Sequence, residues 1–360
     1  MNFNKVLSFG LALTLMFGIS GCKNNKDITD EEASVKRWES AKIVGTVGDD
    51  NIYDAEFKFY FNMNKSQMEK DAGLDDKSDE EKKKFWEEKE GNGDKKQKLL
   101  DKTFDDLVNL KILLNLAKEE GVKLDEGDKM QIERNIYSFT KHKANESQDE
   151  AEKLMKQMYG VSIDEYRWIF EDYFTAYYKY ANNEIEKIEV SEREIEERFE
   201  RDKDEFNKVN VRHVLLYTID VDTQQPLEED VIKEKRQLAE DIFKRVKDGE
   251  SIEDLAKQYS ENAELKITGG EETLSKGDTV AEFENWVFNA KEGDVGLIET
   301  SYGFHVVKFI KSIEASLGDK EKAAIKGNLK NEKFEKRIEE EKAKIQIAKE
   351  QEVIDSLDLF

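Results

Sequence analysis

The stretch ETSYGFHVVKF, residues 299–309, sets a histidine into an alternating run. Side chains alternate across a strand, so His305 shares a face with Val307 and Phe309. An ionisable ring on an apolar face is ordinarily a core histidine, held neutral and hydrogen-bonded. The stretch VNVRHVLLYT, residues 209–218, repeats the pattern: His213 shares its face with Val209, Val211 and Leu215. The chain has only three histidines, and two of them lie on apolar faces of strands in one region. If those strands are neighbours, the two imidazoles meet at the centre of a sheet, where burial lowers both pKa values.

The text between the two strands fills in one small α+β unit over residues 207–312. Residues 228–249 read as a helix closed by Gly249, and SIEDLAKQYS (251–260) as a second, with Ser251 and Asp254 in capping-box spacing. A glycine pair follows at Gly269 and Gly270. EFENWVFNAKEG (282–293) is a short helix with Phe283, Trp286, Val287 and Ala290 on one side. DVGLIET and GFHVVKFI are the closing strands, joined by a tight SYG turn.

Upstream, residues 41–206 change character. IVGTV is a strand, GDDN a turn, and DAEFKFYF opens a helix, which makes a small N-terminal strand hairpin. Residues 68–98 are nearly all charge and predict an exposed helix or mobile insertion. In residues 99–121, Leu100, Phe104, Leu107, Leu110 and Leu114 recur at steps of three and four, with Gly121 as the stop. Residues 123–136 begin another helix. In residues 159–188, Ser162 and Glu165 are placed to cap, and Tyr166, Phe170, Tyr173, Tyr177 and Tyr180 form one stripe. That stripe is either core or a greasy concave face for unfolded chains. VSEREIEERFERDKDEF (190–206) is a charged helix leading into the next domain. Residues 313–360, rich in Lys and Glu, predict one long amphipathic helix that packs back on the helical module because it cannot stand alone.

The formal charge is −24, which repels nucleic acid and forbids a polybasic grip on anionic lipid. Contact with a membrane is expected by another route. MNFNK is a short positive segment, and VLSFGLALTLMFGIS is an uncharged run too short to span a bilayer, as in a signal peptide. It stops at ISGC, where Cys22 is the only cysteine of the chain. This resembles the lipobox of bacterial lipoproteins, whose cysteine is acylated and becomes the N-terminus. His142 sits in a charged, exposed stretch. Histidines this scattered predict no metal site, and no D-x-D-x-D-G calcium pattern occurs.

Taken together, VRHVLLYT, the SIEDLAKQYS helix, the GG turn, G-D-T-V-A-E-F and Y-G-F-H-V-V-K-F resemble a parvulin-type peptidyl-prolyl isomerase domain. The lipobox, VGTVGDDNIYDAEF, residues 99–124, YGVSIDEY and residues 190–206 extend the resemblance to the PrsA/SurA foldases. The implied architecture is a signal peptide (1–21), a polar tether (22–40), a helical chaperone-like module (41–206), a parvulin-like domain (207–312) with a small antiparallel sheet, and a C-terminal helix (313–360). The resemblance implies a lipid-anchored foldase at the extracytoplasmic face of the cell membrane, with exported unfolded proteins as partners and no cofactor. It leaves open a homodimer through the helical module.

Residue by residue, His213 and His305 match the parvulin histidine pair, and Asn262 stands where the family usually has Asp or Cys. These three are the implied catalytic residues. Phe283 matches an aromatic wall of the proline pocket, and Tyr302 lies near its rim. Glu272 and Thr279 stand where the family has leucine and methionine, which predicts weaker burial of the proline ring and a slow isomerase, or a holdase that only grips peptide. Such a site needs no nucleophile. It has to bind the twisted amide better than either planar isomer, against a rotation barrier of about 18–20 kcal/mol.

Overall fold

The computed structural model describes residues 37–360 except 76, 91–92 and 224. Cys22, the leader and most of the tether therefore lie outside the described residues. The chain divides into two compact units, residues 1–189 with 330–360, and residues 190–329.

In the first unit, β1 (Ile43–Val47) and β2 (Asp50–Tyr53) form an antiparallel hairpin. The helix Asp54–Asp71 follows at once, and the Glu56 side chain turns back to accept from the Tyr53 N–H. Part of the 68–98 segment is the exposed helix that its charge predicts. It contains the helix Asp79–Glu87, capped by Ser78, and a two-residue hairpin of β3 (Lys89–Glu90) and β4 (Gly93–Asp94). Trp86 is buried and donates to Glu69 at 2.7 Å, and half-buried Phe85 packs beside it, so two aromatics fix an otherwise polar helix.

The helix Lys95–Glu119 is buried around most of its circumference. Leu99, Phe104, Leu107, Leu110 and Leu113 are all in the core, whereas Leu100 and Leu114 of the expected stripe are half-buried. From Leu107 to Ala117 none of the helix's residues is fully exposed, and its main neighbours are the helix Asp54–Asp71 and the stretch Phe174–Ala181; the unit is completed by Glu126–Lys143, Gln148–Tyr159 and Ile163–Tyr173. The last is capped by Ser162 and Glu165 and runs through a π-helical stretch, Phe174–Ala181, into Asn182–Lys187. Tyr166, Phe170, Tyr177 and Tyr180 are buried and Tyr173 is half-buried, so the aromatic stripe is core and not an open client-binding face.

The second unit carries a four-stranded antiparallel sheet in the order β6-β5-β8-β7: β5 (Lys208–Tyr217), β6 (Glu271–Ser275), β7 (Val295–Glu299) and β8 (Gly303–Ile313). The sequence reading missed β6 and the short helix Ala263–Thr268, both of which are too short and polar to show a period. One face, with Val214, Leu216, Phe304 and Val306, packs on the helices Glu229–Lys247 and Ile252–Tyr259. The other, with Val209, Val211, Val307 and Phe309, packs on Phe283 and Val287 of the helix Ala281–Val287.

The helix Glu192–Arg201 and the start of Asp319–Lys342 also belong to this unit, because Ile195 and Phe199 bury an apolar stripe against Ile325. The unit thus extends beyond 207–312 at both ends. The C-terminus departs further from expectation. Residues 313–360 do not form one helix: Asp319–Lys342 is followed by β9 (Ile347–Lys349) and the helix Gln351–Asp355. In the first unit β9 pairs antiparallel with β1, which completes a three-stranded sheet, β2-β1-β9.

Candidate active site

Pairing of β5 with β8 places Leu215 opposite His305 and His213 opposite Val307, so the two histidines are diagonal neighbours on one face. Their rings lie nearly parallel, 12° apart with centroids separated by 5.6 Å. The two Nδ1 atoms are 3.4 Å apart. His213 is 4% exposed and His305 6%. Phe283 packs on both imidazoles, with centroid distances of 5.1 and 4.9 Å. Desolvation, with His213 as a second cause, pushes His305 down to about 3, so its ring is neutral at any ordinary pH.

Two glycines bring backbone close to this pair. Gly270 (φ +79°) accepts from the His213 N–H at 2.9 Å, and a Cβ there would stand 2.5 Å from the His213 carbonyl oxygen. Gly303 (φ +149°) opens β8, and its Cβ would lie 2.1 Å from the Leu216 carbonyl oxygen. The GG and YG signals in the sequence thus mark positions where a side chain cannot fit.

The outer nitrogen of each ring has a polar partner. His305 Nε2 lies 3.0 Å from the Thr300 hydroxyl, and His213 Nε2 lies 2.9 Å from a Glu272 carboxylate oxygen. Thr300 was not singled out from the sequence. Its one signal is its place at the end of β7, five residues before His305 across a tight turn, where Thr300 and Gly303 exchange backbone hydrogen bonds.

The other expected residues are distributed as follows. Glu272, expected as a spoiled wall of the proline pocket, is on β6 opposite Val211 and contacts His213 directly. Asn262, expected beside the histidines, caps the helix Ala263–Thr268. Its Oδ1 accepts from the Glu264 and Leu265 N–H groups, and its amide donates to the Tyr217 hydroxyl at 3.1 Å. Tyr302 is 45% exposed in the β7–β8 turn. Thr279 is half-buried just ahead of the helix Ala281–Val287. Phe283 is only 1% exposed, so it is a floor beneath the imidazole pair more than an open wall. A cavity of about 750 Å³ in this unit lies elsewhere, lined by Val246, Lys247, Trp286, Asn289 and Lys308 among others.

Residues 197–312 match the family described as the PPIC-type PPIASE domain. Over 310 residues, 86% of each chain, the sequence is 25% identical to the foldase protein PrsA of Caldanaerobacter subterraneus subsp. tengcongensis. It is 28% identical over 233 residues to the foldase protein PrsA of a Staphylococcus epidermidis strain, covering 64% of this chain and 65% of that one. A crystal structure of peptidylprolyl isomerase (PrsA) from Bacillus anthracis aligns with 66% of this chain and 95% of its own, at 18% identity and a TM-score of 0.29.

Proposed function

We infer, from the premise that residues 197–312 are a PPIC-type peptidyl-prolyl isomerase domain in a PrsA-like chain, that this protein is a membrane-anchored extracytoplasmic foldase. It binds exported unfolded chains and rotates their X-Pro bonds. The observation that supports this reading most directly is the buried pair of parallel imidazoles, His305 held neutral and both rings tilted against Phe283, inside the matched region.

Such a pair suits the reaction because no bond is made or broken. Rotation loses amide resonance, and a rigid floor of oriented dipoles favours the twisted amide without itself reorganising. Each tenfold in rate requires about 1.4 kcal/mol of that preference. The catalytic roles fall to His213 and His305, with Phe283 packed against them, and Thr279 and Tyr302 are assigned to the walls and rim of the pocket. Asn262 acts by holding the helix that precedes the glycine pair. The hydroxyl at Thr279 makes the site more polar than an apolar proline pocket, which favours slow turnover. It also gives the rival reading its footing: a holdase that grips peptide with little catalysis. Attachment to the membrane is through lipid on Cys22.

The decisive measurement is exchange of X-Pro peptides, by NMR or a protease-coupled assay, with the full chain beside its His213→Ala and Phe283→Ala variants. Turnover above the spontaneous rate, lost in both folded variants, is expected. Suppression of client aggregation with no acceleration by the folded wild type would select the holdase. The anchor has its own check: Cys22→Ser should move the protein from the membrane fraction into the soluble exported fraction.

A further inference from the structure

We propose that Glu272 is a positioning residue, whose carboxylate sets the direction of a proton chain running Thr300–His305–His213–Glu272 beneath the isomerase site. The proposal rests on the isomerase reading for its importance to turnover, but the proton arrangement stands on geometry alone.

An ionised carboxylate only accepts hydrogen bonds, so the 2.9 Å contact requires His213 Nε2 to carry a hydrogen. In the neutral ring Nδ1 then bears a lone pair. His305 Nδ1 faces that lone pair at 3.4 Å and must donate to it. His305 Nε2 is left as the acceptor, and the Thr300 hydroxyl donates to it at 3.0 Å while Thr300 Oγ1 accepts from the Tyr302 N–H at 3.2 Å. Every polar atom in the chain is satisfied by one assignment.

The reverse direction fails at one end only. With His213 Nδ1–H donating to His305 and His305 Nε2–H donating to Thr300, the threonine hydroxyl can still turn to the Gly303 carbonyl at 3.4 Å. The Thr300 end therefore tolerates both directions. At the other end, reversal sets the His213 Nε2 lone pair against the Glu272 carboxylate. Glu272 is thus the group that decides which nitrogens carry hydrogens. Asn262 cannot take this part, because both its amide atoms hold the helix start and Tyr217. What looked in the sequence like a damaged apolar wall is an anchor for the ring beside it.

With only three histidines, one of them His142 on a helix of the other unit, the test is accessible in the full chain. Long-range ¹H–¹⁵N spectra of the histidine-labelled protein should show His213 as the Nε2–H tautomer and His305 as the Nδ1–H tautomer. Glu272→Gln, whose amide oxygen can still accept, should keep that pattern and most of the turnover. Glu272→Leu should mix or reverse the tautomers and lower kcat/KM by about tenfold, as expected for loss of a charge-assisted hydrogen bond. A wild-type tautomer pattern in Glu272→Leu, with kcat/KM unchanged or raised, would overturn the proposal and return Glu272 to the role of an obstructed pocket wall. If no form of the protein catalyses, the isomerase reading fails, and the tautomer spectra still decide the part of Glu272.

Discussion

Both units bury ionisable groups, and they do so in opposite ways. In the helical unit Glu56 and Lys111 are buried together as ions, 2.7 Å apart, with Glu56 also accepting from the Tyr53 N–H. Within the four-stranded sheet of the second unit the buried ionisable groups are two imidazoles, and His305 is kept neutral by loss of water. An ion pair holds its place only while both charges are present, since either alone is stranded in a poor solvent. A neutral ring incurs no such penalty, but it must have a partner for each nitrogen, and the sheet supplies them from Thr300 and Glu272. The first arrangement ties two helices together; the second leaves an ordered polar surface inside an apolar sheet, which is what a site needs.

The largest expected effect breaks the ion pair. Lys111→Met leaves Glu56 buried without its cation and should destabilise the helical unit by about 3–5 kcal/mol. Denaturant unfolding followed by fluorescence would show the loss. X-Pro turnover by residues 190–329 should persist at denaturant concentrations where the helical unit has melted. Simultaneous loss of both would show that the units do not unfold independently.

Acid should sharpen the contrast. His305 titrates near 6.5 unfolded and about 3 folded, so its stability contribution is complete above about 6.5 and is lost as pH falls toward 3. The loss is at most about 1.4 kcal/mol per pH unit. Asp172, in the helical unit, is raised to about 6 by burial against the pull of Lys111. Its contribution has the other sign, present below about 4 and lost as pH rises through 6. Between about pH 4 and 6, acidification therefore weakens the sheet unit through His305 and strengthens the helical unit through Asp172. Urea titrations of His305→Gln and Asp172→Asn against the wild type, at pH 7 and pH 4.5, should show opposite changes in the stability gap. Parallel changes would contradict the assignment.

The smallest effect tests Asn262. As a cap it should cost about 1 kcal/mol when changed to alanine, whereas Asn262→Asp, an equally good cap, should leave stability nearly unchanged. A large loss of turnover in a stably folded Asn262→Ala would restore it to the chemistry.

Much of this arrangement was legible in the sequence. Alternation in VNVRHVLLYT and GFHVVKFI placed His213 and His305 each on an apolar strand face, because the two-residue period of a strand depends on little else, and the pairing of β5 with β8 made the two faces one. Ser162 with Glu165 and Ser251 with Asp254 announced their helix starts, since capping is a local hydrogen bond. Other features were hidden. β6 reads EETLS, with one buried residue, and exists as a strand because β5 offers it an edge. β9 reads as helix from composition and is a strand because it pairs with β1. The stripe Leu100–Leu114 was right at Phe104, Leu107 and Leu110 and one residue off at its two ends, where Leu99 and Leu113 are the deeper positions.

The sequence by itself determined the strand faces, the helix caps, the glycine turns and the match of residues 197–312 to the PPIC-type PPIASE domain family. All of these are short-range patterns or close matches of residue type. Only the tertiary structure decided that Glu272 meets His213, that Asn262 does not, and that Thr300 closes the other end of the pair. Those contacts join residues that lie 59 positions apart in one case and five in another, and their hydrogen bonds depend on ångström-scale placement that strand pairing and burial set together.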